Sequence, residues 1–433
     1  MKDKISTKTL PGFLEYLPAE QITFNKMKDT IISVYESFGF VPLDTPVLER
    51  QEVLLAKAGG ETEKQIYCLE KGDEKLALRF DLTVPLARYV SEHFANLIFP
   101  FRRYHVAKVY RGERPQRGRF REFYQADIDI VAENELPLIN DAEIVKVIYE
   151  VFTKLNLGKF TVRLNNRKLL NGFFAELGLS GQATEVLRII DKLDKIGRDN
   201  VKEALAEISI KAETADKILD FVSLRGDVLK ALTDLNIKNE IFKEGLKEMA
   251  EVIGYLKDFG IPEENYQIDL AIARGLDYYT GTVYETVLND YPQIGSVCSG
   301  GRYGDLTGFY SDKKLPGVGV AIGLSRLFYQ LLEAGLIKVN QATSADILIV
   351  SENLAAASKL ADDLRTNGLA VIGAYGPEKF KKKLSLANRL GVKAVIILGE
   401  DEISGGYFSL KDMVSGEQIK AKTIKDVNDF LKL

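Results

Sequence analysis

The chain has 433 residues, 46% apolar and 28% charged, enough to bury a large core in two or three domains and unlike collagen, a disordered chain or a membrane bundle. Its formal charge is −4, from 58 basic and 62 acidic residues, so an anionic partner must be met by a local patch rather than by the whole molecule. Cys68, Cys298, His93 and His105 are the only thiols and imidazoles; they cannot supply a Cys/His zinc site or a disulfide framework, and no protein-ligated metal is expected.

Met1 to Thr7 carries charges with no apolar block behind them, and no run of about 18 apolar residues follows anywhere, which predicts a cytoplasmic protein. After a turn at Leu17-Pro18, residues Ile22, Met27, Ile31, Val34 and Phe38 recur at helical spacing and predict a helix over Ala19 to Ser37. Val41 to Leu48 contains Pro46, which lacks a ladder donor, and reads as an edge strand. Ala77 to Phe80, His105 to Tyr110 and Phe123 to Ile130 read as further strands. In the last, Gln125, Asp127 and Asp129 alternate with Ala126, Ile128 and Ile130, which predicts one polar face.

From Arg102 to Glu122 stand seven Arg and Lys108 against Glu113 and Glu122, with Tyr110 and Phe120 among them. Arginine grips phosphate and carboxylate in a planar fork, so a ligand-binding hairpin is expected here, with Gly112 to Gly118 as a projecting, mobile loop. From about residue 167 to 260 short amphipathic helices predict an insertion without chemistry of its own. Strand-like sequence resumes from Ile268 to Val287, followed by an expected Gly-rich turn at Ser299 to Gly304. Pro316 to Leu327 predicts a buried strand feeding a helix. From residue 344 to 433, apolar strands at Asp346 to Val350, Leu369 to Gly373 and Ala394 to Leu398 alternate with helices, predicting a small α/β domain with a mostly parallel sheet.

The hairpin Tyr110 to Gln125 resembles motif 2 of class II aminoacyl-tRNA synthetases, Phe38-Gly39-Phe40 through Glu49 their motif 1, and Gly323-Leu324-Ser325-Arg326-Leu327 their motif 3. Arg274 to Thr280 and Gly300-Gly301-Arg302-Tyr303 are similar to the two signatures peculiar to histidyl-tRNA synthetases. Arg79-Phe80-Asp81-Leu82-Thr83-Val84-Pro85 is similar to the amino-acid-binding strand of the branch using Asp rather than Glu. The resemblance runs end to end. It implies an α/β (α+β) catalytic domain over residues 1–335, with an antiparallel sheet flanked by helices, and an anticodon-binding α/β domain over 344–433.

The same resemblance implies histidine activation by ATP and transfer to the 3′ end of tRNA(His). Two anions, carboxylate and α-phosphate, must then meet, which calls for guanidinium groups. It implies Arg111 and Arg274 at the reacting centre; Arg111, Glu113, Arg119, Phe123 and Arg326 for ATP and its accompanying Mg²⁺; and Asp81, Thr83, Arg111, Gln125, Asp129, Arg274, Tyr278, Tyr279 and Tyr303 for histidine. Arg114, Gln116 and Arg117 would meet the acceptor end, and motif 1 would pair two copies into a symmetric dimer. Lys379 and Lys381 to Lys383 suit either phosphate or a solvated helix face. Gly304-Asp305, Ser325 and Glu15 depart from the commonest family pattern. The rival readings are a histidine-binding regulatory paralogue acting on the first phosphoribosyl transfer of histidine biosynthesis, and a class II synthetase for proline, threonine or glycine.

Overall fold

Helix α1 (Pro18–Ser37) buries Met27, Ile31, Val34 and Tyr35 along one stripe and stops at Gly39, whose φ of +75° best suits a residue without Cβ. Gly39 N–H donates to Glu36 O (2.9 Å) and Phe40 N–H to Tyr35 O (3.2 Å), while the rings of Tyr35 and Phe40 meet beneath the turn. This is a Schellman stop with its hydrophobic contact. The computed structural model describes residues 5–56, 61–272, 279–305, 307–376 and 378–432. The chain forms two units, Met1–Leu14 with Met27–Leu336, and Glu15–Lys26 with Ile337–Leu433.

In the first unit, β1 (Val41–Pro42) leads to β2 (Leu48–Arg50), α2 (Gln51–Leu55), α3 (Glu61–Gln65), β3 (Cys68–Lys71), β4 (Glu74–Leu78) and α4 (Thr83–Glu92). The predicted edge strand is therefore split around Pro46: β1 pairs parallel with β5 (Phe101–Tyr110), whereas β2 joins β4 and β3 in a small sheet of its own. The expected strand at Ala77 to Phe80 ends at Leu78, although Arg79 N–H still donates to Val47 O and Arg79 O accepts from Tyr110 N–H, each at 3.0 Å.

Strand β6 (Glu122–Val131) follows β5 as the second arm of a long hairpin, and then come α5 (Ile139–Leu155) and β7 (Phe160–Asn166). The insertion comprises α6 (Arg167–Glu176), α7 (Ala183–Ile190), α8 (Leu193–Glu207), α9 (Ala212–Val222), α10 (Val228–Asp234) and α11 (Glu240–Asp258). Helices α6 and α11 approach through Gly172 and Gly245, where a Cβ would collide with Phe242 and with the backbone of Leu169, and Phe173 stacks on Phe221 at 3.9 Å. Strands β8 (Tyr266–Ile268), β9 (Tyr279–Leu288), β10 (Cys298–Tyr303) and β11 (Gly317–Ile322) and helix α12 (Leu324–Glu333) complete the unit.

The eight-stranded sheet has the order β1-β5-β6-β11-β10-β9-β7-β8, antiparallel from β5 through β7 and parallel at both ends. Ser299 to Gly304 is largely strand rather than the expected turn. A Cβ on Gly300 would strike the Gly319 carbonyl, so these glycines serve close backbone approach. On one face of β6, Ala126, Ile128 and Ile130 are fully buried, and Tyr35 Oη donates to Ala126 O at 3.1 Å. The opposite face carries Gln125, Asp127 and Asp129.

The second unit has a five-stranded sheet of order β13-β12-β14-β15-β16, from β12 (Ile347–Ser351), β13 (Val371–Ala374), β14 (Ala394–Leu398), β15 (Phe408–Asp412) and β16 (Gln418–Ala421). Helices α13 (Leu354–Thr366), α14 (Phe380–Leu390), α15 (Glu400–Gly405) and α16 (Ile424–Leu431) accompany it. β12 is buried at every residue, with Ile347 and Ile349 in one core and Leu348 and Val350 in another, as a strand covered on both faces requires. The sheet is mixed, not mostly parallel: β14·β15 and β15·β16 are antiparallel. Among the described residues no helix is long and apolar enough to cross a membrane.

Candidate active site

The polar face of β6 opens into a cavity of about 520 Å³. Strands supply the floor, because alternate residues of β6 and the glycines of β10 and β11 face it. The segment ahead of α4 and the loop between β5 and β6 supply walls. Asp81, Thr83, Arg111, Glu113, Arg119, Phe123, Gln125, Asp129, Tyr279, Tyr303 and Arg326 all line this cavity.

Arg111 leaves the end of β5 with its guanidinium over the rings of Phe80 (4.4 Å) and Phe123 (5.2 Å), and its Nε donates to Phe80 O at 3.3 Å. Two rings and a carbonyl fix the plane of the fork. Asp81 caps the first turn of α4: its Oδ1 accepts from Thr83 N (3.1 Å) and Val84 N (2.9 Å). Burial raises the Asp81 pKa, and those amides and Arg111 draw it back. Gln125 is buried, and among the described residues its Oε1 has no hydrogen-bond partner, an acceptor available to an incoming donor.

Asp129 accepts from Tyr303 Oη at 3.0 Å and pairs with Arg103. Burial pushes its pKa up to about 6 against the opposing pull of Arg103 and the Tyr303 hydrogen bond. Elsewhere in the lining, Glu113 and Arg119 lie 3.7 Å apart, and Arg326 Nη2 donates to Ile294 O at 2.8 Å. Ser325, the residue at a family departure, is buried, and its hydroxyl accepts from Tyr124 N–H at 2.9 Å, fastening α12 to β6. Asp305, at another departure, accepts from Thr307 N and Oγ1 and so closes its own turn.

Arg114, Gln116 and Arg117 do not line the cavity. They sit on the exposed loop, where a bridge joins Gln116 to Arg119 and Arg117 pairs with Glu333 at 2.9 Å. Arg274 and Tyr278 lie outside the described residues. Arg302, within the Gly-rich signature, turns to Asp141 and to the carbonyls of Leu136 and Pro137.

Sequence reasoning passed over Arg103 and Asp127. Asp127 lines the cavity, buried, with its pKa raised by burial and one oxygen unpartnered among the described residues. Arg103 lies directly opposite Asp129 in the β5·β6 register. The signal was available: on the hairpin, Arg103 shares strand parity with Arg111, and a buried row of carboxylates demands a cation across the strand. His105, opposite Asp127, is kept neutral by burial and by Arg103 and Arg79, its pKa lowered to about 3, while its Nε2 meets Asp44 at 3.0 Å. Among the described residues no group of three or more His, Cys, Asp or Glu is disposed to hold a metal.

Residues 12–327 match the family model described as histidyl-tRNA synthetase, and residues 339–432 match the anticodon binding domain. A histidine–tRNA ligase of Clostridium tetani is 54% identical over 423 residues, covering 96% of both chains, and one of Stenotrophomonas maltophilia is 48% identical at the same coverage. The crystal structure of histidyl-tRNA synthetase from Nostoc sp. PCC 7120 superposes with a TM-score of 0.91 at 42% identity, over 99% of each chain. An ATP phosphoribosyltransferase regulatory subunit/histidyl-tRNA synthetase from Bacillus halodurans shares the fold, with a TM-score of 0.77 at 22% identity, over 92% of this chain and 100% of that one.

Proposed function

The chain belongs to the histidyl-tRNA synthetase family, and from that premise we propose how its cavity joins histidine to ATP and hands the product to tRNA(His). The protein is an aminoacyl-tRNA ligase: it makes histidyl-adenylate and pyrophosphate, then esterifies the 3′ end of its tRNA and releases AMP.

A carboxylate oxygen of histidine attacks the α-phosphorus of ATP, and the bond to the β-phosphate oxygen breaks as pyrophosphate leaves. Arg111 lies between the two anions, so their repulsion falls and the charge on the five-coordinate phosphorus is steadied. Arg274 takes the second such position. Phe123 gives the adenine a face, Glu113 accepts its amino proton, and Arg119 and Arg326 hold the outer phosphates together with the Mg²⁺ that accompanies ATP. Asp81, Thr83 and Gln125 receive the α-ammonium. Asp129 and Tyr279 take the two imidazole nitrogens, with Tyr278 and Tyr303 lining the ring. A pocket that satisfies both nitrogens rejects rings lacking one, because its buried polar groups are then left unpaired.

Arg114, Gln116 and Arg117 meet the acceptor end of the tRNA, and residues 344–433 form the anticodon-reading domain. The working form is a homodimer paired through α1 and β1, in the cytoplasm where its tRNA resides. The ligase reading is favoured over a regulatory paralogue because the chain retains both the ATP-side arginines and the anticodon binding domain match.

One observation carries the proposal: the Arg111 guanidinium is clamped by Phe80 and Phe123 in the same cavity as Asp81, Gln125 and Asp129. The test is histidine-dependent ATP–pyrophosphate exchange by Arg111→Ala. A fall of about 10²- to 10³-fold is expected for a lost transition-state donor, and an unchanged rate overturns the assignment.

A further inference from the structure

Arg103 is fully buried near the start of β5 and does not line the cavity. Its Nη2 reaches two places at once, the Asp129 carboxylate across the strand and Leu82 O at 3.3 Å. Its Nε and Nη1 have no hydrogen-bond partner among the described residues. A buried guanidinium is expensive to desolvate, and a packed apolar side chain often does as well for stability alone. The residues it touches are informative. Asp129 faces the cavity, and Leu82 stands between Asp81 and Thr83, which also face it.

We propose that Arg103 is a positioning residue for histidine selection: from the neighbouring strand, on the same face of the sheet, it holds the Asp129 carboxylate as an acceptor for an imidazole N–H and ties that carboxylate to the segment that receives the α-ammonium. The inference rests on the reading that Asp129 meets the imidazole, and it adds the group that makes Asp129 able to do so.

The floor is crowded with acid. Facing Asp129 are Asp127 on its own strand, Asp81 ahead of α4, Tyr303 from β10 and Arg103 from β5; β11 contributes Gly319, and Arg111 acts on Asp81 and Asp127. Burial and Asp81 favour the protonated form of Asp129, whereas Arg103 is the largest influence favouring its anion. A protonated Asp129 would turn from pure acceptor into donor and meet the wrong face of the imidazole hydrogen bond. The second contact, from the same Nη2 to Leu82 O, ties the ring end of the pocket to its amino end.

The test uses the full chain and follows histidine KM, ATP KM and kcat in pyrophosphate exchange across pH. For Arg103→Met, histidine KM should rise about a hundredfold with ATP KM within about twofold. The acid limb of kcat/KM for histidine should move up by about one pH unit or more. The imidazole of the substrate titrates in the same range in every variant, so the displacement between variants isolates Asp129. Arg103→Lys restores the charge but, with a shorter stem and no planar group, not the position of Nη2: the limb should return towards its original place while histidine KM stays raised by about fivefold or more. Arg103→Met placed on Asp129→Asn should add little to Asp129→Asn alone.

Histidine KM within about twofold of the unaltered chain, an unmoved limb, or independent effects in the double variant overturn the inference. Should Arg103→Met fail to fold, Arg103→Lys decides by its histidine KM, and an unchanged value overturns it. An unaltered chain without histidine-dependent exchange sinks the functional reading together with this one, whereas exchange that is indifferent to Arg103 sinks this one alone.

Discussion

Gly319 has no side chain, and Asp129 occupies the place one would need. A Cβ there would collide with the Asp129 carboxylate and with Ile128 O, so Gly319→Ala should both raise histidine KM and lower stability by about 1–3 kcal/mol, read by exchange kinetics and by denaturant melts. Asp129 also sets a pH dependence. Protonation as pH falls through about 6 removes its acceptor, so kcat/KM for histidine should decline on that side. Stability runs the other way. A carboxylate whose folded pKa is raised contributes stability that is full below its unfolded value near 3.8 and lost as pH rises through about 6. Melting of the ligand-free chain should therefore lose this group's share over the interval in which catalysis improves, and a loss on the acid side instead would contradict the assigned shift. At this scale much of the cavity lining was legible: Arg111, Asp81, Gln125 and Asp129, singled out by residue type and motif, line one cavity. Arg103 was not, because one Arg among seven carries no mark of burial until strand register places it opposite a carboxylate.

The loop between β5 and β6 rests on α12. Arg117 pairs with Glu333, the Phe120 ring meets Tyr329 edge-on at 5.3 Å, and Gly118 at φ +72° brings the backbone against Gln330. The ion pair is exposed and worth no more than about 1 kcal/mol. Arg117→Ala should leave melting and pyrophosphate exchange as they are, while weakening aminoacylation and flattening its salt dependence. Equal damage to both steps would put Arg117 in the ATP site. Element by element, the sequence was readable where an apolar period ran long, as in α1 and β6, and misleading where glycine or proline carried two meanings. The glycines of β10 look like a turn in one dimension but serve a tight strand crossing. Pro46 marks the gap between two short strands rather than a flaw within one. The antiparallel arms β15 and β16 were missed because their short, mostly polar segments have no apolar run to announce them.

At the scale of the whole molecule, the order of motifs along the chain carried the fold further than periodicity could, since register among eight strands is set by contacts far apart in sequence. β1 lies at one edge of the large sheet with Val41 exposed, where the proposed dimer would pair. Sedimentation should return twice the chain mass, and a stable active monomer would remove α1 and β1 from that role. The central claim is that one cavity gathers guanidinium groups against two anions while its floor recognises imidazole. Its most direct test is ATP–pyrophosphate exchange by the purified chain with histidine, proline, threonine and glycine supplied in turn. Exchange should depend on histidine alone. Exchange with another of the four, or histidine bound without any exchange, would contradict the account.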